Sequence, residues 1–384
     1  MKKLCAVTAT RAEYGLLKPL MNAINAHQEF ELQLLVTGAH LSPEFGNTYT
    51  LIEQEGFYIN KKVEMLLSAD TGSSIVKSMG LGMIGYADAF SRLNPDAIII
   101  LGDRYEMLAV ASSASAMKIP IIHLHGGEIT EGAYDDSFRH AITKLSHLHF
   151  ASTESHRERI IQLGEQPQNV FNVGAIGIDN IVNLPLLSKE ALEQDLGIRF
   201  AKYNYQVTFH PETLADLSAE EQFKVLLQAI KNQKESFFVF TKSNADTNGR
   251  IINRMIDEFV TENPHIAKAF TSLGSLKFLS LLKHSNAIIG NSSSGIIEAP
   301  SLHTPTINIG DRQKGRMQAK TIINCVVDQL QIEEAIDRTQ DEIFMQSIKN
   351  LQNPYGNGDT TNKIMKIIES TDFSKLLIKK FYDK

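Results

Sequence analysis

The run Ala97-Ile98-Ile99-Ile100-Leu101 is apolar on both faces of any strand it forms. Such a strand must be covered from both sides, as in a parallel sheet flanked by helices. The neighbouring sequence supplies the covers. Strand patterns at Lys3–Thr10, Leu32–Gly38, Ala97–Asp103, Ile119–Leu124, Leu148–Ser152 and Val170–Gly174 alternate with amphipathic helical patterns, notably Tyr14–Ala26, Ser74–Leu93 and Tyr105–Met117. That alternation predicts a doubly wound parallel sheet. It then restarts. Tyr205–His210, Ser236–Lys242, Ala267–Ser272, Asn286–Asn291 and Thr304–Gly310 form a second set. Ser218-Ala219-Glu220-Glu221 reads as a capping box opening a helix over Ser218–Lys231. The fold class is therefore α/β, with two doubly wound domains and a crossing point within Asn172–Pro185. We expect a first domain over residues 1–174, a second over 175–362, and a C-terminal helix over 363–384 packing back on the first. A chain of 384 residues suits this division, being long for one core. Domains of this kind facing each other across a cleft take ligands at the carboxyl ends of their strands.

Composition narrows the function. Net charge is −6, from 44 acidic and 38 basic residues, which argues against a general nucleic-acid or membrane binder. The two cysteines, Cys5 and Cys325, are too far apart for a disulfide framework. Arg11 and Glu13 interrupt the opening apolar run, so it does not read as a secretory signal. No apolar stretch approaches the roughly 18 residues needed to span a bilayer. The expectation is a cytoplasmic protein with neither nucleic acid nor membrane as partner.

Chemistry gathers at the strand ends. The first ends in Thr8-Ala9-Thr10-Arg11, where Thr10 can cap a helix and Arg11 stands where an anion would meet helix N–H groups; an ordinary cap with a solvated arginine explains it equally. The strand through Ile99 ends in Gly102-Asp103-Arg104, a candidate base beside an anion clamp, or simply an N-cap. The next ends in His123-Leu124-His125-Gly126-Gly127-Glu128. On a strand His123 and His125 point to one face. A metal site could recruit them with Glu128, Asp135, Asp136 or the His147/His149 pair, yet no recognised zinc spacing is present and no metal is expected. His123 reads as a satisfied core histidine and His125 as the group delivered to solvent or ligand. Asp135 and Asp136 open a helix, which is favourable for structural reasons alone.

In the second half His210 ends a strand, placed to touch a phosphate or a sugar. Gly290-Asn291-Ser292-Ser293-Ser294-Gly295 follows Ala287-Ile288-Ile289 and opens a helix, exposing N–H groups and hydroxyls to an anion. Glu298, one turn on, could accept both hydroxyls of a ribose. Arg312, Lys314 and Arg316 add positive charge nearby in sequence.

The motifs "RAEYG", "GDRYE", "GGE…YDDSFRH", "FHPET", "GNSSSG", "GDRQKGR" and "NPYGNGD" run in order over nearly the whole chain. As a set they resemble the hydrolysing UDP-N-acetylglucosamine 2-epimerases, bacterial enzymes that make N-acetylmannosamine for sialic-acid synthesis. The resemblance implies a GT-B fold of two Rossmann-like domains, assembly as homodimers or homotetramers, no cofactor, and UDP-N-acetylglucosamine or a UDP-diacetamido sugar as ligand. It implies that Asp103 and Asp135 are catalytic carboxylates. It implies that Arg11 and Arg104 hold diphosphate or sugar, that His210, Ser292 and Ser293 bind UDP phosphates with Arg312 close by, and that Glu298 binds the ribose. Phe278 would line the uracil pocket and Asp179 a further pocket position. The family's third catalytic residue is a glutamate, in "HIEGGE", where this chain has His125. Either His125 takes the role or Glu128 reaches in from the turn, and we favour His125.

The implied reaction eliminates UDP to a 2-acetamidoglucal and adds water with inversion at C2. The C2 hydrogen becomes removable only as the anomeric C–O bond breaks and positive charge develops beside it. Alternatives sharing the fold are the same chemistry on UDP-N,N′-diacetylbacillosamine for legionaminic acid, the non-hydrolysing 2-epimerase, a GT-B glycosyltransferase, and a catalytically silent sugar-nucleotide sensor.

Overall fold

A computed structural model describes residues 1–69, 71–130, 134–212, 217–243 and 249–383. Thirteen strands are present among them: β1 Lys2–Thr8, β2 Phe30–Thr37, β3 Lys61–Val63, β4 Ala97–Leu101, β5 Ile121–Leu124, β6 Leu148–Ala151, β7 Val170–Asn172, β8 Tyr203–Thr208, β9 Ser236–Thr241, β10 Ala267–Phe270, β11 Ala287–Gly290, β12 Thr306–Ile309 and β13 Ile322–Cys325. They form a seven-stranded sheet in the order β3-β2-β1-β4-β5-β6-β7 and a six-stranded sheet in the order β10-β9-β8-β11-β12-β13. Every pairing is parallel.

The doubly apolar run behaves as its pattern requires. Ile99 lies opposite Ala6 on one side and Ile122 on the other. Ala97, Ile99 and Leu101 enter one core with Leu4, Ala6, Leu17 and Leu20, while Ile98 and Ile100 enter another with Cys5, Val7, Phe90 and Val110. The second sheet repeats this division. Phe238 and Phe240 pack on one face with Phe223 and Ile256, and Phe237 and Val239 on the other with Leu192 and Leu281.

The edge strands β3 and β13 carry no sequence pattern that separates them from loops. A strand paired on one side needs little length and tolerates polar residues. Lys61-Lys62-Val63 and Ile322-Ile323-Asn324-Cys325 are three and four residues long. The capping box at Ser218 is present, with Ser218 and Glu221 each bonding the other's backbone N–H.

The chain divides into two compact units: unit 1 comprises Met1–Glu128, Asp135–Asn180 and Gly358–Lys384, and unit 2 comprises Ile129–Tyr134 and Ile181–Asn357. The chain thus leaves unit 1 at Asn180 rather than at 174 and returns at Gly358 rather than 363. It also departs briefly after Glu128, where Arg316 donates to the Ile129 carbonyl at 2.9 Å and the Thr130 hydroxyl at 3.2 Å within unit 2.

The C-terminal segment corrects the expectation of one helix over 363–384. The helix is Thr360–Ser370, followed by a single 3-10 turn at Phe373–Lys375. Asp372 ends the regular pattern by accepting from the Ser374 N–H. Ile364, Met365, Ile368 and Phe373 complete a core of unit 1 beside Leu17, Leu20 and Ile24. Beyond the turn, Lys379 bonds the buried Glu165 carboxylate at 2.8 Å, and the Tyr382 N–H bonds the Gly164 carbonyl at 2.9 Å. Lys384 lies outside the described residues.

Candidate active site

In unit 1 the turn after β1 is a complete capping box. Thr10 accepts from the Glu13 N–H, and Glu13 Oε2 accepts from the N–H groups of Ala9 at 2.8 Å and Thr10 at 3.2 Å. Burial pushes the Glu13 carboxyl up to about 8, with Arg104 opposing and Glu106 reinforcing the shift. Arg11 follows at the first helical position, and burial lowers it to about 10, leaving it cationic at neutral pH.

After β4 come Gly102, Asp103 and Arg104. Arg139, on the helix Asp135–Leu145, donates from Nη2 to Asp103 Oδ2. The Arg139 side chain is 3 % exposed and that of Asp103 21 %, so the pair anchors a carboxylate with one side toward solvent. Arg104 is engaged differently: its Nε and Nη2 donate to the two oxygens of the fully buried Glu106, each at 3.1 Å. A bidentate pair of this kind fixes the guanidinium plane.

His123 lies within β5, buried, with Nε2 2.8 Å from the Gly102 carbonyl, to which it donates. Burial lowers it to about 3, so it is a neutral structural imidazole. His125 departs from the strand reading. β5 ends at Leu124, and His125 adopts a left-handed φ of 64°, so the two-residue alternation stops before it. Its Nδ1 is 2.8 Å from Glu128 Oε1. Gly127 explains the glycine pair: at φ 75°, a Cβ here would stand 2.3 Å from the His156 carbonyl oxygen. Glu128 is 2 % exposed and also accepts from Ser152 Oγ at 2.8 Å. It therefore sits as the partner of His125. Asp135 and Asp136 occupy the first turn of the next helix, Asp136 being 3.6 Å from Arg139 and 3.5 Å from His140.

Asp179, expected as a pocket position, is buried within unit 1 and bonded to backbone. It is 1 % exposed, and its oxygens accept from the N–H groups of Asp359 at 3.0 Å, Thr360 at 2.9 Å and Thr361 at 2.6 Å. It satisfies the first turn of the helix Thr360–Ser370, whose own N-cap, Asp359, makes no capping bond from its side chain to the backbone.

In unit 2 the ends of β8 and β11 are tied by Asn291, which is fully buried. Its Oδ1 accepts from the His210 N–H at 2.7 Å, and its Nδ2 donates to the His210 carbonyl at 2.9 Å. His210 Nδ1 is 3.3 Å from Ser243 Oγ. Gly290 allows the approach, since a Cβ there would lie 2.0 Å from the Thr208 carbonyl oxygen. Ser292 caps the short helix Ser293–Ile297, and Glu298 is its C-cap, 7 % exposed. Arg312 Nη1 and Gln313 Nε2 both donate to the Asn291 carbonyl, at 3.1 and 2.7 Å. Glu212 accepts from the Arg312 N–H at 3.0 Å, and burial raises its carboxyl. His210, Ser292 and Arg312 are thus brought together around Asn291. Phe278 is half-buried among apolar groups on the helix Gly274–His284. Thr213, the last residue of "FHPET", lies outside the described residues.

Sequence reasoning missed Arg139, Ser152, Asn291 and Glu212. Arg139 had a signal, since a charged residue stands with Ile142 and Thr143 on the buried face of its helix. Asn291 and Ser152 act through contacts from distant strands, which no local pattern reports.

A family profile described as UDP-N-acetylglucosamine 2-epimerase matches residues 22–369. A GDP/UDP-N,N′-diacetylbacillosamine 2-epimerase (hydrolyzing) of Campylobacter jejuni is 46% identical over 383 residues, covering 100% of this chain and 99% of the relative. This chain belongs to the hydrolysing UDP-N-acetylglucosamine 2-epimerase family. Polysialic acid biosynthesis protein P7 of Escherichia coli is 42% identical, with 100% of this chain and 97% of the relative covered. The crystal structure of a Neisseria meningitidis UDP-GlcNAc 2-epimerase bound to UDP-GlcNAc superposes with a TM-score of 0.80 at 17% identity, covering 96% of this chain and 100% of the other. The family's architecture is the GT-B fold, and the two parallel-sheet units have it. No helix among the described residues is long and apolar enough to cross a membrane.

Proposed function

We propose that this chain is a hydrolysing 2-epimerase that converts UDP-N-acetylglucosamine and water to N-acetylmannosamine and UDP. The observation that carries the reading is the placement of proton-handling groups at consecutive strand ends of unit 1. Asp103 follows β4 on a buried arginine, His125 follows β5 on a buried glutamate, and Asp135 opens the next helix. The proposed roles follow from the chemistry. One of Asp103 and Asp135 takes the C2 proton as UDP departs, giving the 2-acetamidoglucal, and His125 delivers a proton to C2 from the opposite face while water adds at C1. UDP is a good leaving group, so electrostatic stabilisation by His210, Ser292, Ser293, Arg312 and Arg11 suffices for its departure. Glu298 and Phe278 are assigned to ribose and uracil, Arg104 to sugar or diphosphate through its outer edge. A homodimer or homotetramer is part of the proposal.

A second reading keeps the chemistry and changes the sugar to UDP-N,N′-diacetylbacillosamine, the sugar that the 46% identical Campylobacter relative is named for. One experiment tests both. The protein is incubated with each nucleotide sugar in deuterated water without an acceptor, and C2 is followed by NMR. Release of UDP with a free, C2-inverted, C2-deuterated sugar supports the reading, and the sugar turned over chooses between them. A product still joined to UDP, or no product without an acceptor, overturns it.

A further inference from the structure

We propose that Glu128 is a positioning residue, held from behind by Ser152 and His156, that fixes His125 with its proton on Nδ1 so that Nε2 alone exchanges a proton with the sugar. The inference rests on the reaction proposed above and adds the device that makes His125 competent for it.

The hydrogen-bond inventory fixes the direction of each link. A carboxylate only accepts, so the contact of 2.8 Å between His125 Nδ1 and Glu128 Oε1 places the hydrogen on Nδ1. The neutral ring then carries its lone pair on Nε2. Ser152 Oγ donates its one hydrogen to Glu128 Oε1 at 2.8 Å, so its contact of 2.9 Å with His156 Nδ1 is one in which the imidazole donates. Ser152 and His156 are each 1 % exposed. The chain His156–Ser152–Glu128–His125 is thus buried and directional, ending at one atom.

That atom is the second observation. His125 Nε2 is buried and has no hydrogen-bond partner among the described residues, while the side chain is 9 % exposed. Leaving a buried nitrogen without a partner is unfavourable. The left-handed backbone at His125 adds strain to the same residue. A site that holds a strained imidazole with one nitrogen fully oriented and the other unmet is built for a ligand atom at the unmet nitrogen. His123, which interacts electrostatically with His125, is held neutral by burial. The proton balance closes. Nε2 takes one proton from solvent to give an imidazolium opposite the Glu128 carboxylate and releases it to C2, while the water that supplies hydroxide to C1 returns its remaining proton to solvent.

The test uses the full chain labelled with [15N]histidine, the His125 ring being assigned by its loss in His125→Gln. In the resting protein the ring should show a protonated Nδ1 and an unprotonated Nε2, and Glu128→Gln should mix the two tautomers. With the UDP-sugar, Glu128→Gln should lower kcat on the order of 100-fold or more, with KM within about threefold. Ser152→Ala should move the same quantities in the same direction by a smaller factor, and stands in if Glu128→Gln fails to fold. In the His125→Gln background neither change should cost more, because both act through His125. A hydrogen on Nε2 in the resting protein overturns the proposal, as does a loss in KM alone or a further loss in the His125→Gln background. If no UDP-sugar is turned over the reaction assigned above fails, while the tautomer measurement still decides the positioning.

Discussion

Asp103 and Arg139 form a pair in which the arginine is buried and the carboxylate partly open, so binding and chemistry should separate on mutation. Asp103→Asn is expected to abolish turnover while leaving UDP affinity nearly intact, measured by calorimetric titration with UDP beside a coupled UDP-release assay. Retained turnover would remove Asp103 from the chemistry. Glu13 offers a second test, one of stability. Its folded-state carboxyl is raised from 4.5 to about 8, so it holds its proton to higher pH than in the unfolded chain. Its contribution is at full strength below about 4.5 and is lost as pH climbs through about 8. Glu13→Gln keeps both N–H acceptor bonds possible, and urea titrations across that range should show a flatter pH slope than the parent. At this scale the sequence marked Asp103, His125 and His210 by their place at strand ends, and Asp135 only through the family resemblance. It did not mark Asn291, Ser152 or Glu212, because what gives them a role is a neighbour from another strand.

At the scale of elements, two carboxylates replace local sequence signals with long-range ones. Asp179 caps a helix that begins 181 residues later, and Asp179→Ala should leave three N–H groups at its start unmet. A loss of about 2–4 kcal/mol in denaturant titration is expected, larger than for an exposed cap because the group is buried. Catalytic constants per folded molecule should be unchanged, which distinguishes this role from substrate contact. Glu165 draws Lys379 of the C-terminal segment inward. Burial alone would raise its carboxyl, but His149, Lys144 and Lys379 together bring it down to about 2. Its stabilisation is present above about 4.5 and is lost as pH falls toward 2. Lys379→Met should therefore reduce resistance to acid, read as an unfolding midpoint at higher pH by circular dichroism. The interior strands β1, β4, β5, β8 and β11 were legible because burial on both faces demands long apolar runs. Of the four edge strands, β7 and β10 were legible, whereas β3 escaped because it is three residues long with two lysines and β13 because its four residues carry no distinct alternation. The C-terminal helix was misjudged where Asp372 turns the chain.

For the molecule as a whole, the repeated alternation of strand and helix was enough to give two doubly wound sheets, since the parallel crossover leaves few other topologies. The exact segments belonging to each unit were not legible, because the return of the chain at Gly358 depends on which apolar face the helix Thr360–Ser370 finds. That return also orders events during synthesis. Ile364, Met365, Ile368 and Phe373 belong to a core whose other members emerge from the ribosome hundreds of residues earlier. The half of the protein translated first is thus completed only later, and its nascent apolar surface must wait, open to chaperones, until the helix Thr360–Ser370 and Phe373 have emerged.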